Sequence, residues 1–329
     1  MWRLRLVPHT PKIRFLRWRR VGLAFSLALM LASVASLAWR GLNFGIDFEG
    51  GILMEVGFEA PPDLADLRSR LNALAPGDLS LQTFGSPNDV LMRIAQPETL
   101  PDAEAGGDAN IQNHDLIARV RAELSDAAEF RRVEVVGPQV SGELVRAGAT
   151  AILVAVALML AYIWFRFEWQ FSLGAVLALV HDVVITLGVF SILQLDFNLS
   201  ILAALLTIVG YSMNDTVVIY DRVREMLRKY KRLALPELLD LSLNSTFSRT
   251  VMTSVTTLLA LLALYFLGGE VIRGFTFAMI FGVLIGTYSS MFIACPLLHY
   301  LGVTRDWSGA IAPSGEMTKA ADRSTEESP

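Results

Sequence analysis

Six stretches of nearly unbroken apolar residues divide this chain, and one long polar stretch separates the first from the other five. The first, residues 21–39, holds 19 uncharged residues and as helix would reach about 28 Å at 1.5 Å per residue, enough to cross a hydrocarbon core. Five more follow at 147–165, 169–195, 197–220, 250–267 and 274–301. Only Arg166, Phe167 and Glu168 join the second and third, and little more than Asp196 joins the third and fourth. These connections predict tight antiparallel hairpins. A cleaved signal peptide is the competing reading of the first stretch, because small residues recur at 32–36, but its length exceeds the roughly 7–15 apolar residues of such leaders.

The polar stretch has a period of its own. Residues 51–58 read as a strand, and 63–75 as an amphipathic helix with Leu64, Leu67, Leu71 and Leu74 on one face. Residues 79–84 and 90–95 read as strands around a Gly85-Ser86-Pro87-Asn88 turn. After an acidic loop at 96–113 come a second helix at 114–128 and a strand at 130–136. The order is βαββαβ, the ferredoxin-like pattern. The sequence therefore predicts an α-helical membrane protein with six spans and a small α+β domain between the first two. The expected divisions are a basic N-terminus (1–20), the first span (21–39), the α+β domain (40–146), five further spans (147–301) and a polar, disordered tail (302–329).

Composition sharpens this. Of 329 residues 53% are apolar and 18% charged, against about 25% charged in a soluble domain. Charge then orients the spans. Residues 1–20 carry seven bases and no acid, whereas 41–146 carry 18 acids and eight bases. A second basic segment, 221–232, has six bases and two acids. Both basic segments belong on the cytoplasmic side by the positive-inside rule, which puts the α+β domain in the periplasm and both termini in the cytoplasm. Membrane orientation accounts for the N-terminal arginines better than nucleic-acid binding does. One cysteine, Cys295, and four scattered histidines offer no disulfide, no thiol cluster and no metal-ligand spacing, so neither a metal nor an organic cofactor is expected.

Ionisable residues inside a span are functional candidates by default. Asp182 stands 13 residues into its span, near the midplane, whereas Asp215 stands closer to the inner end of the next. Arg249 opens the fifth span on a polar face with Thr246, Thr253 and Thr256, and Thr250 and Thr257 lie beside it. That face is expected to pair Arg249 with Asp215; the bland reading is that Arg249 snorkels to headgroups. Asp182 follows His181 and precedes Thr186 by one turn, which allows a capping role as well as a proton role. Ala278, Gly282, Gly286, Ser290 and Ala294 recur every four residues, a stripe suited to close helix contact, and it is expected to meet a second membrane chain. An intramembrane aspartyl protease is disfavoured by the unequal depths of Asp182 and Asp215 and by the Tyr211-Ser212-Met213-Asn214-Asp215 context.

Three motifs resemble those of the SecD/SecF family. They are Gly45-Ile46-Asp47-Phe48-Glu49-Gly50-Gly51 after the first span, the run Val209 to Val218 followed by Asp221-Arg222-Val223-Arg224-Glu225, and Ser248-Arg249-Thr250 with Thr253-Ser254. The likeness runs from about residue 17 to 300. Glu49 stands where the family often has threonine, and the 96–113 loop looks longer than usual. The resemblance implies the smaller, SecF half of a heterodimer with SecD, hence half of a resistance-nodulation-division type bundle. It also implies use of the proton gradient to complete export of unfolded polypeptides through the SecYEG channel served by SecA. It makes Asp215 the essential carboxylate and Arg249 its cationic neighbour in a proton relay, with Asp182, Asn214, Thr246 and Thr253 as possible supports and Gly45, Gly50 and Gly51 as motif glycines. A proton-driven lipid or drug exporter of the same superfamily is the alternative, and a structural scaffold a third.

Overall fold

A computed structural model of the chain describes residues 11–74, 79–95, 108–124 and 128–303. Residues 1–10, most of the expected 96–113 loop and nearly all of the expected 302–329 tail lie outside these. Among the described residues six helices are long and apolar enough to cross a membrane. They are α1 (Arg19–Arg40), α5 (Pro138–Arg166), α6 (Trp169–Leu193), α7 (Leu199–Lys229), α8 (Leu235–Leu267) and the span Arg273–Tyr300, which comprises α9 (Arg273–Ser289), a π-helical turn (Ser290–Ala294) and α10 (Cys295–Tyr300).

Between α1 and α5 the chain forms β1 (Asn43–Phe44), α2 (Ile46–Glu49), β2 (Gly51–Phe58), α3 (Leu64–Asn72), β3 (Leu79–Phe84), β4 (Ser86–Ile94), α4 (Asp108–Leu124) and β5 (Ala128–Val136). The last strand, β6 (Asp196–Phe197), lies between α6 and α7. Strands β2 to β5 make an antiparallel sheet in the order β3-β4-β2-β5, as the βαββαβ pattern requires. Ile52, Met54 and Val56 alternate on one face of β2 and pack with Val90, Met92 and Ile94 against Leu67 and Leu71 of α3 and Val120 and Leu124 of α4. Asp63 starts α3 by accepting from the Ala65 and Asp66 amides at 2.8 and 3.4 Å. On the opposite face Leu53, Glu55, Leu91 and Arg93 line a cavity of about 570 Å³ with Asp196 and Tyr265 of the bundle.

Several helices outrun the apolar stretches that announced them. The fourth span was expected to end at 220, but α7 continues to Lys229. The segment read as a basic loop is thus mainly helix, because Val223, Met226 and Leu227 keep a buried face while Arg222 and Glu225 form an ion pair on the exposed side. The fifth span was expected from 250, but α8 begins at Leu235 with a proline in its first turn. Its first turns bury Leu238, Leu239 and Leu243. They also hold the N-terminal segment: Asp240 accepts from the Leu16 amide at 2.9 Å, and Asn244 exchanges two hydrogen bonds with the Ile13 backbone at 2.9 and 2.8 Å. The second span likewise starts nine residues early, at Pro138, so 138–146 belong to α5 rather than to the domain.

The small-residue stripe packs within this chain. A Cβ on Gly282 would lie 2.3 Å from Ile208, and one on Gly286 would lie 3.0 Å from Ser212, so α9 closes directly on α7. The expectation that this face awaits a second chain is corrected, since the helix that needed the close approach was two spans upstream. A Cβ on Gly188 would fall 2.1 Å from the Ser33 hydroxyl, which marks an equally close crossing of α1 and α6.

Candidate functional site

The site is a set of hydroxyls around two carboxylates where α6, α7, α8 and the last span meet. Asp215 Oδ1 accepts from Thr250 Oγ1 of α8 at 2.6 Å, and its Oδ2 accepts from Ser290 Oγ at 2.8 Å. Asp182 is fully buried, at 0% exposure. Its Oδ1 lies 2.9 Å from His181 Nδ1, and its Oδ2 accepts from Ser212 Oγ at 2.5 Å and Ser289 Oγ at 2.7 Å. Ser212 precedes Asp215 by three residues on α7, and Ser289 and Ser290 are consecutive, so the two carboxylates share two helices. A capping role for Asp182 reduces to its backbone carbonyl, which accepts from Thr186 Oγ1 at 2.7 Å.

Two sequence expectations change here. Asp182 and Asp215 are held by consecutive residues of the last span, Ser289 and Ser290, so the two carboxylates stand at one level of the bundle and not at the unequal depths inferred from the apolar runs. The direct Asp215–Arg249 pair is not formed. Arg249 is exposed, as are Asn214, Thr253 and Thr256, and among the described residues no ion pair involves Arg249. The face of α8 that reaches Asp215 is the adjoining one, with Thr250 on the carboxylate and Ser254 sharing a 2.7 Å hydrogen bond with Thr287 of α9. Thr246 is buried and bonds back to the Ser242 and Leu243 carbonyls at 3.2 Å. Thr253 likewise bonds back to the Arg249 and Thr250 carbonyls at 3.1 and 2.9 Å. Ser212, Thr250, Ser289 and Ser290 carry the contacts that the sequence reading did not assign. The signal available was the i, i+3 spacing of Ser212 to Asp215 and two adjacent hydroxyls inside an apolar span.

The glycine motif holds the α+β domain to the bundle. β1 pairs in parallel with β6, Asn43 opposite Asp196. Asp196 accepts from Asn43 Nδ2 at 2.7 Å and from Gln82 Nε2 of β3 at 2.9 Å. Arg93 of β4 donates to the Phe44 carbonyl and, at 2.8 Å, to Asn43 Oδ1. The Gly45 amide donates to the Phe197 carbonyl at 2.8 Å, and Asp47 Oδ2 accepts from the Leu199 amide at 3.0 Å, a carboxylate at the first residue of α7. Gly50 and Gly51 then turn the chain into β2 with φ of 74° and 124°.

Comparison with known proteins matches these parts in turn. The family model described as "Protein export membrane protein SecD/SecF, C-terminal" matches residues 117–304, and the one described as "SecD/SecF GG Motif" matches 35–62. The chain is 46% identical over 296 residues to the protein translocase subunit SecF of Rickettsia bellii, covering 90% of this chain and 95% of that one. It is 43% identical over 294 residues to that of Vibrio alginolyticus, covering 89% and 91%. Among solved structures, a Thermus SecDF superposes with a TM-score of 0.79 at 35% identity over 92% of this chain. A SecDF in a super-membrane-facing form gives 0.64 at 34% over 99%. The chain spans 40% and 41% of those two structures' chains. With both motifs matched and relatives covered almost end to end, the chain belongs to the SecD/SecF family of protein-export membrane proteins, as a protein translocase subunit of the SecF type.

Proposed function

We propose that this subunit uses the proton gradient of the bacterial inner membrane to assist export of unfolded polypeptides, as one half of a heterodimer with SecD that works beside SecYEG and SecA. The observation that carries the proton reading is Asp215, a carboxylate within α7 that, among the described residues, is held by the hydroxyls of Thr250 and Ser290. Charge-assisted hydrogen bonds contribute roughly 1.5–3 kcal/mol each, and a proton crossing 100 mV supplies about 2.3 kcal/mol. Two protons, about 4.6 kcal/mol at 100 mV, therefore match the roughly 3–6 kcal/mol of the two hydroxyl contacts of Asp215, whose exchange would shift α8 against the last span. The cofactor is the gradient itself.

The exposed Arg249, Asn214, Thr253 and Thr256 support the heterodimer. A guanidinium 14 residues into a 33-residue membrane helix is costly against lipid, and a partner bundle would cover it and supply its counter-charge. The two solved structures are of SecDF, and this chain matches about two fifths of each, in keeping with the smaller part of such an assembly. In this reading Arg249 lies at the partner interface, next in sequence to the Thr250 that holds Asp215. The α+β domain lies in the periplasm and both termini lie in the cytoplasm, following the basic flanks. An exporter of lipids or drugs is not favoured, since the relatives reported above are SecF proteins.

The test is export into inverted membrane vesicles with and without a gradient. Asp215→Asn should remain inserted at normal abundance and lose the gradient-dependent part of export. Arg249→Met should do the same, and Asp182→Asn should do less harm. Normal gradient-dependent export by Asp215→Asn would overturn the proposal.

A further inference from the structure

We propose that Asp182 and Asp215 form one coupled proton-binding unit, with Ser289 and Ser290 as the positioning residues that join them and His181 as a third protonatable member. The inference rests on the proton reading of Asp215 and extends it.

A serine hydroxyl carries one proton and can accept two. Ser289 Oγ lies 2.7 Å from Asp182 Oδ2 and 3.1 Å from the Gly286 carbonyl, whereas Ser290 Oγ lies 2.8 Å from Asp215 Oδ2 and 3.0 Å from the Thr287 carbonyl. Each hydroxyl thus has two acceptors and one proton. While the carboxylate is ionised the serine proton points to it. When the carboxyl takes up a proton it donates to the serine oxygen, and the serine proton turns to the backbone carbonyl three residues earlier. Both protonation states leave each hydroxyl with an acceptor, but the second loads the Gly286 and Thr287 carbonyls.

Those carbonyls belong to the last α-helical turn before the π segment. The Cys295 amide donates to the Ser290 carbonyl five residues back, and the buried Tyr220 hydroxyl holds the Ala294 carbonyl at 3.0 Å. Consecutive residues of a helix point about 100° apart, so Ser289 can face α6 while Ser290 faces α7 and α8. A serine switch on either carboxylate therefore acts on the same turn, where a π segment leaves the ladder adjustable. Ser212 adds a second link, because it donates to Asp182 from the helix that carries Asp215.

His181 completes the unit. It is 2% exposed, its Nδ1 faces Asp182, and its Nε2 has no hydrogen-bond partner among the described residues. The titratable groups that face it are Asp182 on its own helix and Tyr288 of α9, whose ring centroid is 6.4 Å away.

The experiment is infrared difference spectroscopy of the full chain in lipid vesicles across a pH series, following the protonated-carboxyl carbonyl band. Asp182→Asn and Asp215→Asn assign the two contributions. Ser290→Ala, whose side chain touches only Asp215 of the pair, is expected to move the titration midpoint of the Asp182 band as well, and Ser289→Ala that of Asp215. Ser290→Thr, which keeps the hydroxyl, is expected to restore the original midpoints. Two independent titrations, each disturbed only by its own serine, would overturn the coupling even where Asp215→Asn abolishes gradient-driven export. Normal export by Asp215→Asn would instead refute the proton role while leaving the coupling measurable.

Discussion

Gly51→Ala should open the α+β domain at the point where it meets the membrane bundle. Gly51 has φ of 124°, and a Cβ there would lie 2.4 Å from the Ile94 carbonyl oxygen and 3.3 Å from the Ala95 Cα. Holding a side chain at such a φ costs about 1–3 kcal/mol. Bringing the Cβ to an ordinary 3.4 Å contact requires β2 and β4 to part by 1.0 Å, the difference between 3.4 and 2.4 Å. The obstacle is backbone, so no rotamer change relieves it, and overpacking of this kind costs about 1–3 kcal/mol more. The sum, roughly 2–6 kcal/mol, is a large share of the 5–15 kcal/mol typical of a folded domain. The assay is trypsin cleavage of the intact chain in detergent micelles under native conditions, read at Arg93, Arg131 and Arg132 within β4 and β5. A loss of 2 kcal/mol raises the open fraction about 30-fold, and cleavage should rise with it when reclosing is fast. Gly137→Ala is the control, because nothing lies within 4 Å of its Cβ position and its φ is −73°; it should change the rate less than about threefold. Equal cleavage rates for the two variants would refute the reasoning.

Cysteines placed at Thr253 and Thr256, in a Cys295→Ser background, should crosslink to a second membrane chain, whereas one at Gly282 should not, because α7 covers it; the reverse pattern would place the partner on the wrong face. Tyr220→Phe should destabilise the chain by about 1–2 kcal/mol in denaturant unfolding, since it leaves the Ala294 carbonyl without the Tyr220 donor. Asp47→Ala should cost about 0.5–2 kcal/mol, as loss of a helix cap does, and should speed chymotrypsin cleavage after Phe44 and Phe48 in the 41–51 segment that joins domain to bundle.

The six apolar runs and the alternation inside the polar stretch were enough to name the spans and the βαββαβ order, because a membrane span and a half-buried strand are each defined by local hydrophobic period. That is why residues 51–58, 79–84 and 169–193 were legible almost to the residue. Helix ends were not, since α7 from Asp221 to Lys229 and α8 from Leu235 to Arg249 are amphipathic rather than apolar, and only their neighbours show which face is covered. The importance of Asp215 was legible because a carboxylate in an apolar run is rare whatever surrounds it. Its contacts were not. Arg249 and Thr250 are adjacent on one helix and point about 100° apart, so the rotation of α8 decides that the threonine, not the arginine, meets the carboxylate. The same holds for the last span: its small-residue stripe was visible in sequence, but packing alone decided that the stripe closes on α7 and that Ser289 and Ser290 each face a different aspartate. Local pattern determines which residues can be buried, whereas partner choice depends on helix rotations and crossings set by contacts between segments distant in sequence.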